Sequence, residues 1–138
     1  MSEYLPILLI FTLASAYGIW YQASRGKVKA KRRRADVNPL DASDFGSDFG
    51  SRATFIQFSS AFCTPCRATR ALLSDITADL NDVKHIEVDA EKNLELVRKL
   101  DIRSTPTTLV LDSDGVEIGR AIGAPKRDEI LATIDALK

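Results

Sequence analysis

The chain has 138 residues, the length of one domain, and its formal net charge is zero at pH 7. That zero conceals an asymmetry, because seven basic residues lie between Arg25 and Arg34, whereas residues 35–138 carry 12 Lys and Arg against 18 Asp and Glu. A net acidic folded part argues against a nucleic-acid interface, and we expect no nucleic-acid partner.

An apolar stretch without a charged residue, YLPILLIFTLASAYGIWYQAS, occupies Tyr4–Ser24. As a helix that rises about 1.5 Å per residue, this stretch is roughly as long as a bilayer core is thick. Trp20 and Tyr21 are typical interfacial residues. A cleaved signal peptide is the alternative, with Ala14–Ala16 as the cleavage site, but its positive charges would precede the apolar core. We predict a transmembrane anchor over residues 1–24.

The basic run RGKVKAKRRR predicts the orientation of this anchor. Basic residues that flank an apolar span stay in the cytoplasm, and they are attracted to anionic headgroups. The expected location is the cell membrane, with a single pass and the following domain in the cytoplasm. The opposite topology stays open as the alternative.

Residues 25–51 are predicted to be a basic juxtamembrane segment and linker, ahead of a folded domain over residues 52–138. The linker contains Ser-Asp-Phe-Gly twice in tandem, and its Asp, Ser and Gly content indicates turns. Phe45 and Phe49 complicate the interpretation as a linker. They are expected either to pack on an edge of the domain or to remain in a solvated linker.

The two cysteines of the chain, Cys63 and Cys66, lie in SAFCTPCRATR. A zinc site needs four ligands, and His85 is the only other soft one; covalent haem needs a histidine where Arg67 stands. A structural disulfide across this spacing closes almost no loop. The remaining chemistry is thiol–disulfide exchange, which predicts no metal and no cofactor other than a redox-active disulfide.

The cysteine pair stands where a predicted strand, ATFIQF, gives way to a predicted helix, RATRALLSDITADL. The amino terminus of a helix stabilises a thiolate, so we expect a lowered pKa and a nucleophilic thiol at Cys63. Pro65 suits the first helical turn because its missing N–H costs nothing there. Cys66, one turn further, is expected to lie deeper.

Four more elements follow in chain order: a strand in VKHIEVDA, a helix in KNLELVRKL, a hairpin in TPTTLVLDSDGVEIGRAIG and a helix in PKRDEILATIDALK. The apolar side of the first helix is predicted to contain Leu94, Val97 and Leu100. The hairpin is expected to turn at Ser113–Gly115. The resulting order is βαβαββα, with the first two strands parallel and the hairpin strands antiparallel.

From residue 52 onward the chain resembles the thioredoxin superfamily, through the strand–CxxC–helix junction, STPTT, SDG and AIGAPKRDEI in the family's order. The resemblance implies an α/β thioredoxin-like fold, with a central mixed β-sheet flanked by helices, here preceded by one N-terminal transmembrane helix. It makes Cys63 the attacking thiol, Cys66 the resolving thiol and Pro106 the cis-proline facing the disulfide. The substrate-binding positions that it implies are Phe62, Thr64, Pro65, Thr105 and Gly123.

The chain also departs from the family. Phe62 and Thr64 replace the tryptophan and glycine of the usual WCGPC, and the usual first strand and helix have no counterpart unless Val37–Phe49 supplies one. Gln57 replaces a buried aspartate that helps deprotonate the resolving cysteine. We hypothesise that Glu87, hydrogen-bonded by Gln57 and with its pKa raised by burial, is the base for Cys66. The alternative is a solvent-facing Glu87 with no role.

The expected function is that of a membrane-tethered thiol–disulfide oxidoreductase that reduces protein disulfides. Its partners would be disulfide-containing protein substrates, the membrane, and an upstream reductant such as a thioredoxin reductase or a membrane thiol carrier. Two alternatives remain: an exported disulfide oxidase or cytochrome-maturation reductase, and a non-catalytic thioredoxin-like adaptor that binds peptides.

Overall fold

A computed structural model describes residues 4–30 and 38–137. The end of the basic run, residues 31–34, and Val37 therefore lie outside the described residues. In chain order, the described elements are α1 (Leu5–Ser24), β1 (Val28–Ala30), a 3-10 helix (Ala42–Phe45), β2 (Ala53–Ser59), α2 (Thr64–Ala78), β3 (Val83–Asp89), α3 (Leu94–Lys99), β4 (Thr107–Asp112), β5 (Glu117–Ile122) and α4 (Arg127–Ala136).

The strands form one mixed sheet in the order β1-β5-β4-β2-β3. β2 and β3 are parallel, whereas β4 pairs with β2 and β5 in antiparallel fashion. This confirms the predicted order from β2 to α4, including the hairpin, which turns at Gly115 with a φ of 77°. A positive φ is costly for residues other than glycine, so the SDG sequence was a reliable turn signal.

Every residue of β2 is buried, because helices and the linker cover both faces of the sheet. One apolar cluster joins alternate β2 residues, Ile56 and Phe58, to β3, α3 and β4. The other joins Phe55 to the buried faces of α2 and α4, through Leu73 and Ile130. The alternation of side chains along a strand thus divides the core into two layers around β2.

The segment before β2 packs on the sheet, which is the first of the two outcomes expected for its phenylalanines. Phe45 and Phe49 are half-buried against the first cluster, and their ring centroids lie 5.9 Å apart. Lys99 of α3 pairs with Asp44 at 3.0 Å. The interpretation of this stretch as a purely solvated linker was wrong.

β1 was not expected from the sequence. Its three residues pair in antiparallel register with β5, Val28 opposite Ala121 and Ala30 opposite Gly119. The sheet therefore includes residues from the basic run, although the domain boundaries at 24/25 and 51/52 stay predictions. In α3 the packing also differs from the prediction, because Leu96 is buried whereas Leu94 is 53% exposed.

α1 is long and apolar enough to cross a membrane, and its 20 residues correspond to about 30 Å of helix. None of its residues is buried. Length and composition do not distinguish an anchor from a signal sequence near the amino terminus.

Candidate active site

Cys63 and Cys66 form a disulfide at the amino terminus of α2. Cys63 is the N-cap residue, and its Sγ accepts a hydrogen bond from the Cys66 N–H at 3.1 Å. After reduction, this N–H and the positive end of the helix dipole favour a thiolate at Cys63. Cys63 is half-buried, whereas Cys66 is only 1% exposed. The more accessible cysteine is therefore the one that the sequence predicted to attack.

The surface around the disulfide is formed by the residues that flank the cysteines. Phe62 is 99% exposed, and Thr64 and Pro65 occupy the exposed first turn of α2. A cavity of about 190 Å³ opens beside the disulfide. Its lining includes Ser60, Cys63, Cys66, Arg67, Arg70 and Glu87. The solvent-facing positions of Phe62, Thr64 and Pro65 are compatible with their predicted substrate contacts, which stay predictions.

The loop before β4 lies beside the cysteine loop. The Thr105–Pro106 peptide bond is cis, as the resemblance implied. The hydroxyls of Ser60 and Thr105 lie within hydrogen-bond distance, 3.1 Å apart. Gly123 donates its N–H to the Pro106 carbonyl oxygen at 2.8 Å. The structure thus brings Thr105, Pro106 and Gly123 together next to the cysteine loop.

Gly123 also contacts the segment that follows α1. It has a φ of 91°, and a Cβ added there would lie 3.5 Å from the Gly26 nitrogen and 3.6 Å from the Arg25 Cβ. The Gly26 N–H donates to the Ile122 carbonyl oxygen at 2.7 Å. The sequence analysis missed this contact, because nothing in the basic run indicates which part of the domain it touches.

Gln57 is fully buried, and its side-chain amide forms hydrogen bonds with three neighbouring residues. Its Nε2 donates to the Cys66 carbonyl oxygen at 2.8 Å and to the Ser59 hydroxyl at 3.0 Å. Its Oε1 accepts from His85 Nε2 at 2.9 Å, since the amide nitrogen already faces the two oxygens. A buried amide with all these bonds made fixes the first turn of α2 relative to β2 and β3.

Glu87 does not bond to Gln57, and that part of the hypothesis was wrong. Its carboxylate instead accepts two hydrogen bonds from the Arg70 guanidinium, and Glu87 is not buried. The burial of Glu87 that the hypothesis required is therefore absent. Glu87 does line the same cavity as Cys66, so its role toward that thiol stays a prediction.

His85, and not Glu87 as expected, is the residue of β3 that forms a hydrogen bond with Gln57. Burial lowers the pKa of its imidazole, while Glu87 raises this pKa and Arg70 lowers it. Its Nδ1 lies 3.4 Å from the Ser74 hydroxyl. The sequence analysis weighed His85 only as a metal ligand. Within residues 4–30 and 38–137 no three His, Cys, Asp or Glu side chains group as a metal site would require.

The sequence profile of the Thioredoxin family matches residues 36–136. The chain belongs to the thioredoxin family. Thioredoxins act through a cysteine pair and need no cofactor.

Individual relatives agree with this assignment. Thioredoxin H2-1 of Oryza sativa subsp. japonica is 32% identical over 88 residues, which are 64% of this chain and 62% of the rice protein. The thioredoxin of Chlamydia trachomatis serovar D is 26% identical over 98 residues, 71% of this chain and 95% of that protein. The chain thus spans less than two thirds of the length of the rice relative. The region that matches the family profile begins at residue 36, after α1.

Among solved structures, thioredoxin F from spinach chloroplast in its short form aligns with a TM-score of 0.56 at 28% identity. The alignment covers 64% of this chain and 78% of the spinach chain. It confirms the thioredoxin-like fold expected from the sequence.

Proposed function

We propose that this chain is a membrane-tethered thiol–disulfide oxidoreductase that reduces disulfides in proteins. The observation that carries the proposal is the Cys63–Cys66 disulfide at the amino terminus of α2, with one partly exposed and one buried cysteine. This asymmetry supports one attacking and one resolving thiol. The adjacent loop at Thr105–Pro106 supports a binding surface for an extended substrate segment.

The reaction proceeds in two exchanges. The Cys63 thiolate attacks one sulfur of a substrate disulfide, which forms a mixed disulfide and releases the other substrate sulfur as a thiolate. Cys66 then loses its proton and attacks Cys63 Sγ, which forms the Cys63–Cys66 disulfide and releases the second substrate sulfur. Two electrons pass to the substrate, and an upstream dithiol reductant, such as a thioredoxin reductase or a membrane thiol carrier, restores the pair.

The tether in this proposal is α1, which has no buried residue. Apolar side chains such as Phe11, at 71% exposure, are costly in water and favourable in lipid. The basic run after α1 supports a cytoplasmic domain. The proposed location is the cell membrane, single pass, with the disulfide on the cytoplasmic side.

Trapping of the mixed disulfide tests the chemistry. In the full-length chain, Cys66→Ser should retain a disulfide-containing substrate on Cys63, whereas Cys63→Ser should retain none. The pre-reduced wild-type chain in detergent should reduce a small aromatic disulfide whose thiol product absorbs visible light. Equal activity of wild type and Cys63→Ser would refute the mechanism, and peptide binding without any exchange would favour an adaptor.

Thiol labelling tests the tether and its orientation. The chain should remain in the membrane fraction at alkaline pH and retain its amino-terminal segment. A membrane-impermeant thiol reagent should label reduced Cys63 only after the cells are permeabilised. Labelling of Cys63 in intact cells would reverse the orientation and favour the exported alternative.

A further inference from the structure

The connection between α1 and the folded domain is a single residue. α1 ends at Ser24, Arg25 is extended with a ψ of 149°, and Gly26 is already buried against the domain. Two residues span at most about 7 Å. The domain therefore has no flexible spacer at this point, and it must lie directly at the end of the proposed membrane helix.

Three contacts fix residues 26–30 to the domain, and a fourth joins Arg25 to α1. The Gly26 N–H bonds to the Ile122 carbonyl oxygen, and Val28 donates its N–H to the Glu129 carboxylate at 3.0 Å. β1 then pairs with β5. On the other side of the junction, the Arg25 guanidinium lies 5.3 Å from the centroid of the Tyr21 ring, a cation–π contact at the expected interface.

Gly26 permits this close approach because it has no side chain. Its φ is 79°, and an added Cβ would lie 2.2 Å from the Ala124 carbonyl oxygen, a separation that backbone atoms cannot tolerate. Gly18, within α1, provides a contrast, since a Cβ added there would meet nothing within 4 Å. The junction is thus specific to Gly26 and is not a general property of glycines in this segment.

A short series of contacts leads from the junction to the disulfide. Arg25 and Gly26 lie against Gly123, which donates its N–H to Pro106. Thr105, next to Pro106, contacts Ser60 through its hydroxyl. The Ser60 carbonyl oxygen accepts the Cys63 N–H at 3.4 Å. A continuous series of contacts therefore joins the end of the membrane helix to Cys63.

We infer that Arg25 and Gly26 are the membrane-side wall of the substrate site and hold the Cys63–Cys66 disulfide at the bilayer surface. The preferred substrates are then membrane proteins with a disulfide a few residues from their own membrane span. This inference rests on the proposed function and specifies its substrate class. This chain and such a substrate are both confined to the membrane surface, so the local concentration of the substrate disulfide at Cys63 is high. A disulfide far from the membrane span of its protein reaches Cys63 less often.

Single-turnover reduction in liposomes tests this inference. The pre-reduced full-length chain is reconstituted with a synthetic single-span peptide whose two cysteines form a disulfide loop. In the near probe the disulfide loop begins about five residues from the apolar span. In the far probe a flexible Gly/Ser spacer of roughly 40 residues, with a mean end-to-end distance of about 35 Å, separates the loop from the span. We expect reduction of the near probe to be about fivefold faster.

Three variants identify the cause of any preference. A flexible Gly/Ser insertion between Ser24 and Arg25 keeps the tether but frees the domain, and it should lower the near-to-far ratio toward one. Gly26→Ala should lower the ratio as well, because its Cβ collides with Ala124. Gly18→Ala is the matched control and should keep the wild-type ratio. If Gly26→Ala fails to fold, the insertion variant still tests the inference.

The outcomes separate the inference from the proposed function. If the chain does not reduce even the small aromatic disulfide in detergent, the proposed function fails and the inference fails with it. If the wild type and the insertion variant reduce that disulfide at equal rates but the near-to-far ratio is close to one in the wild type, only the inference fails. An insertion variant that keeps the wild-type ratio would also overturn it.

Discussion

His85 donates a hydrogen bond from Nε2 to the Oε1 of Gln57 at 2.9 Å, and Gln57 in turn donates to the backbone carbonyl oxygen of Cys66. The neutral amide of Gln57 stands at the position where the resemblance implied a buried carboxylate, and the imidazole of His85 is its partner on β3. Gln57 is fully buried and His85 is half-buried, so this hydrogen bond is largely shielded from water.

Gln57→Leu should destabilise the fold, because it leaves the Cys66 carbonyl oxygen and the His85 N–H without their partner. Each unsatisfied buried group costs about 1–3 kcal/mol, so the free energy of unfolding should fall by roughly 2–4 kcal/mol. Denaturant unfolding of the full-length chain in detergent measures this. A loss below about 0.5 kcal/mol would show that the network does not stabilise the fold.

The stability of the wild type should depend on pH through His85. Burial lowers the pKa of this imidazole in the folded state, so below the ordinary value near 6.5 the unfolded chain takes up the proton first. The stability is therefore complete above about pH 6.5 and is lost as the pH falls toward the folded-state pKa.

Thermal unfolding between pH 7.5 and 5 measures this loss, with His85→Gln as the control. Glutamine can still donate to Gln57 but does not titrate, so its midpoint should fall less over the same range. Parallel curves for the two proteins would contradict the assignment to His85.

The sequence predicted the residue opposite Gln57 but not the residue that bonds to it. In the parallel pairing of β2 with β3, Gln57 aligns with Glu87, which is where the hypothesis put the carboxylate. His85, two residues earlier, lies on the same face of β3. Alternation cannot distinguish these two positions. The difference arises from α2, whose Arg70 binds Glu87 and leaves Gln57 to His85.

Local signals predicted the structure correctly where the backbone favours one residue type, as it does glycine at the positive φ of Gly115 and proline in the first turn of α2 at Pro65. They were insufficient for β1, whose three residues have too little pattern to indicate a strand. Its partner, β5, is distant in sequence, so only the assembled sheet reveals the pairing.

Two adjacent threonines of β4 offer a matched pair of variants. Both are buried, but Thr107 donates its hydroxyl to the Ser104 carbonyl oxygen at 2.7 Å, whereas the Thr108 Oγ1 has no hydrogen-bond partner among the described residues. Thr108→Val should therefore raise the free energy of unfolding by about 1 kcal/mol. Thr107→Val should lower it by a similar amount. Denaturant unfolding that gives both variants the same sign would contradict this reasoning.

Phe49 should contribute to stability although it precedes the predicted domain. Its ring packs on the first apolar cluster and against the hairpin turn, where a Cβ on Gly115 would lie 3.0 Å from it. Because the side chain is half-buried, Phe49→Ala should cost about 2 kcal/mol, less than a fully buried phenylalanine. Denaturant unfolding checks this, and Asp48→Ala at the exposed neighbouring position is the control. Equal stability of both variants would refute a packing role for Phe49.

The final prediction concerns the proton that Cys66 loses in the proposed reaction. Glu87 lines the same cavity as Cys66, and two hydrogen bonds from Arg70 hold its carboxylate there. We propose that this carboxylate accepts the Cys66 proton during resolution. Glu87→Gln should then slow resolution about tenfold or more at pH 6, and its rate should rise more steeply with pH because only solvent base remains.

Two successive releases of thiolate from a small aromatic disulfide measure this step in stopped flow. The first release reports the attack by Cys63, the second reports resolution by Cys66, and Cys66→Ser gives the first release alone. Asp89→Asn is the matched control, since Asp89 is another carboxylate that lines the cavity. Its second release should keep the wild-type rate. If Glu87→Gln keeps the wild-type pH profile for the second release, Glu87 is not the proton acceptor, and its bond to Arg70 serves only to join α2 to β3.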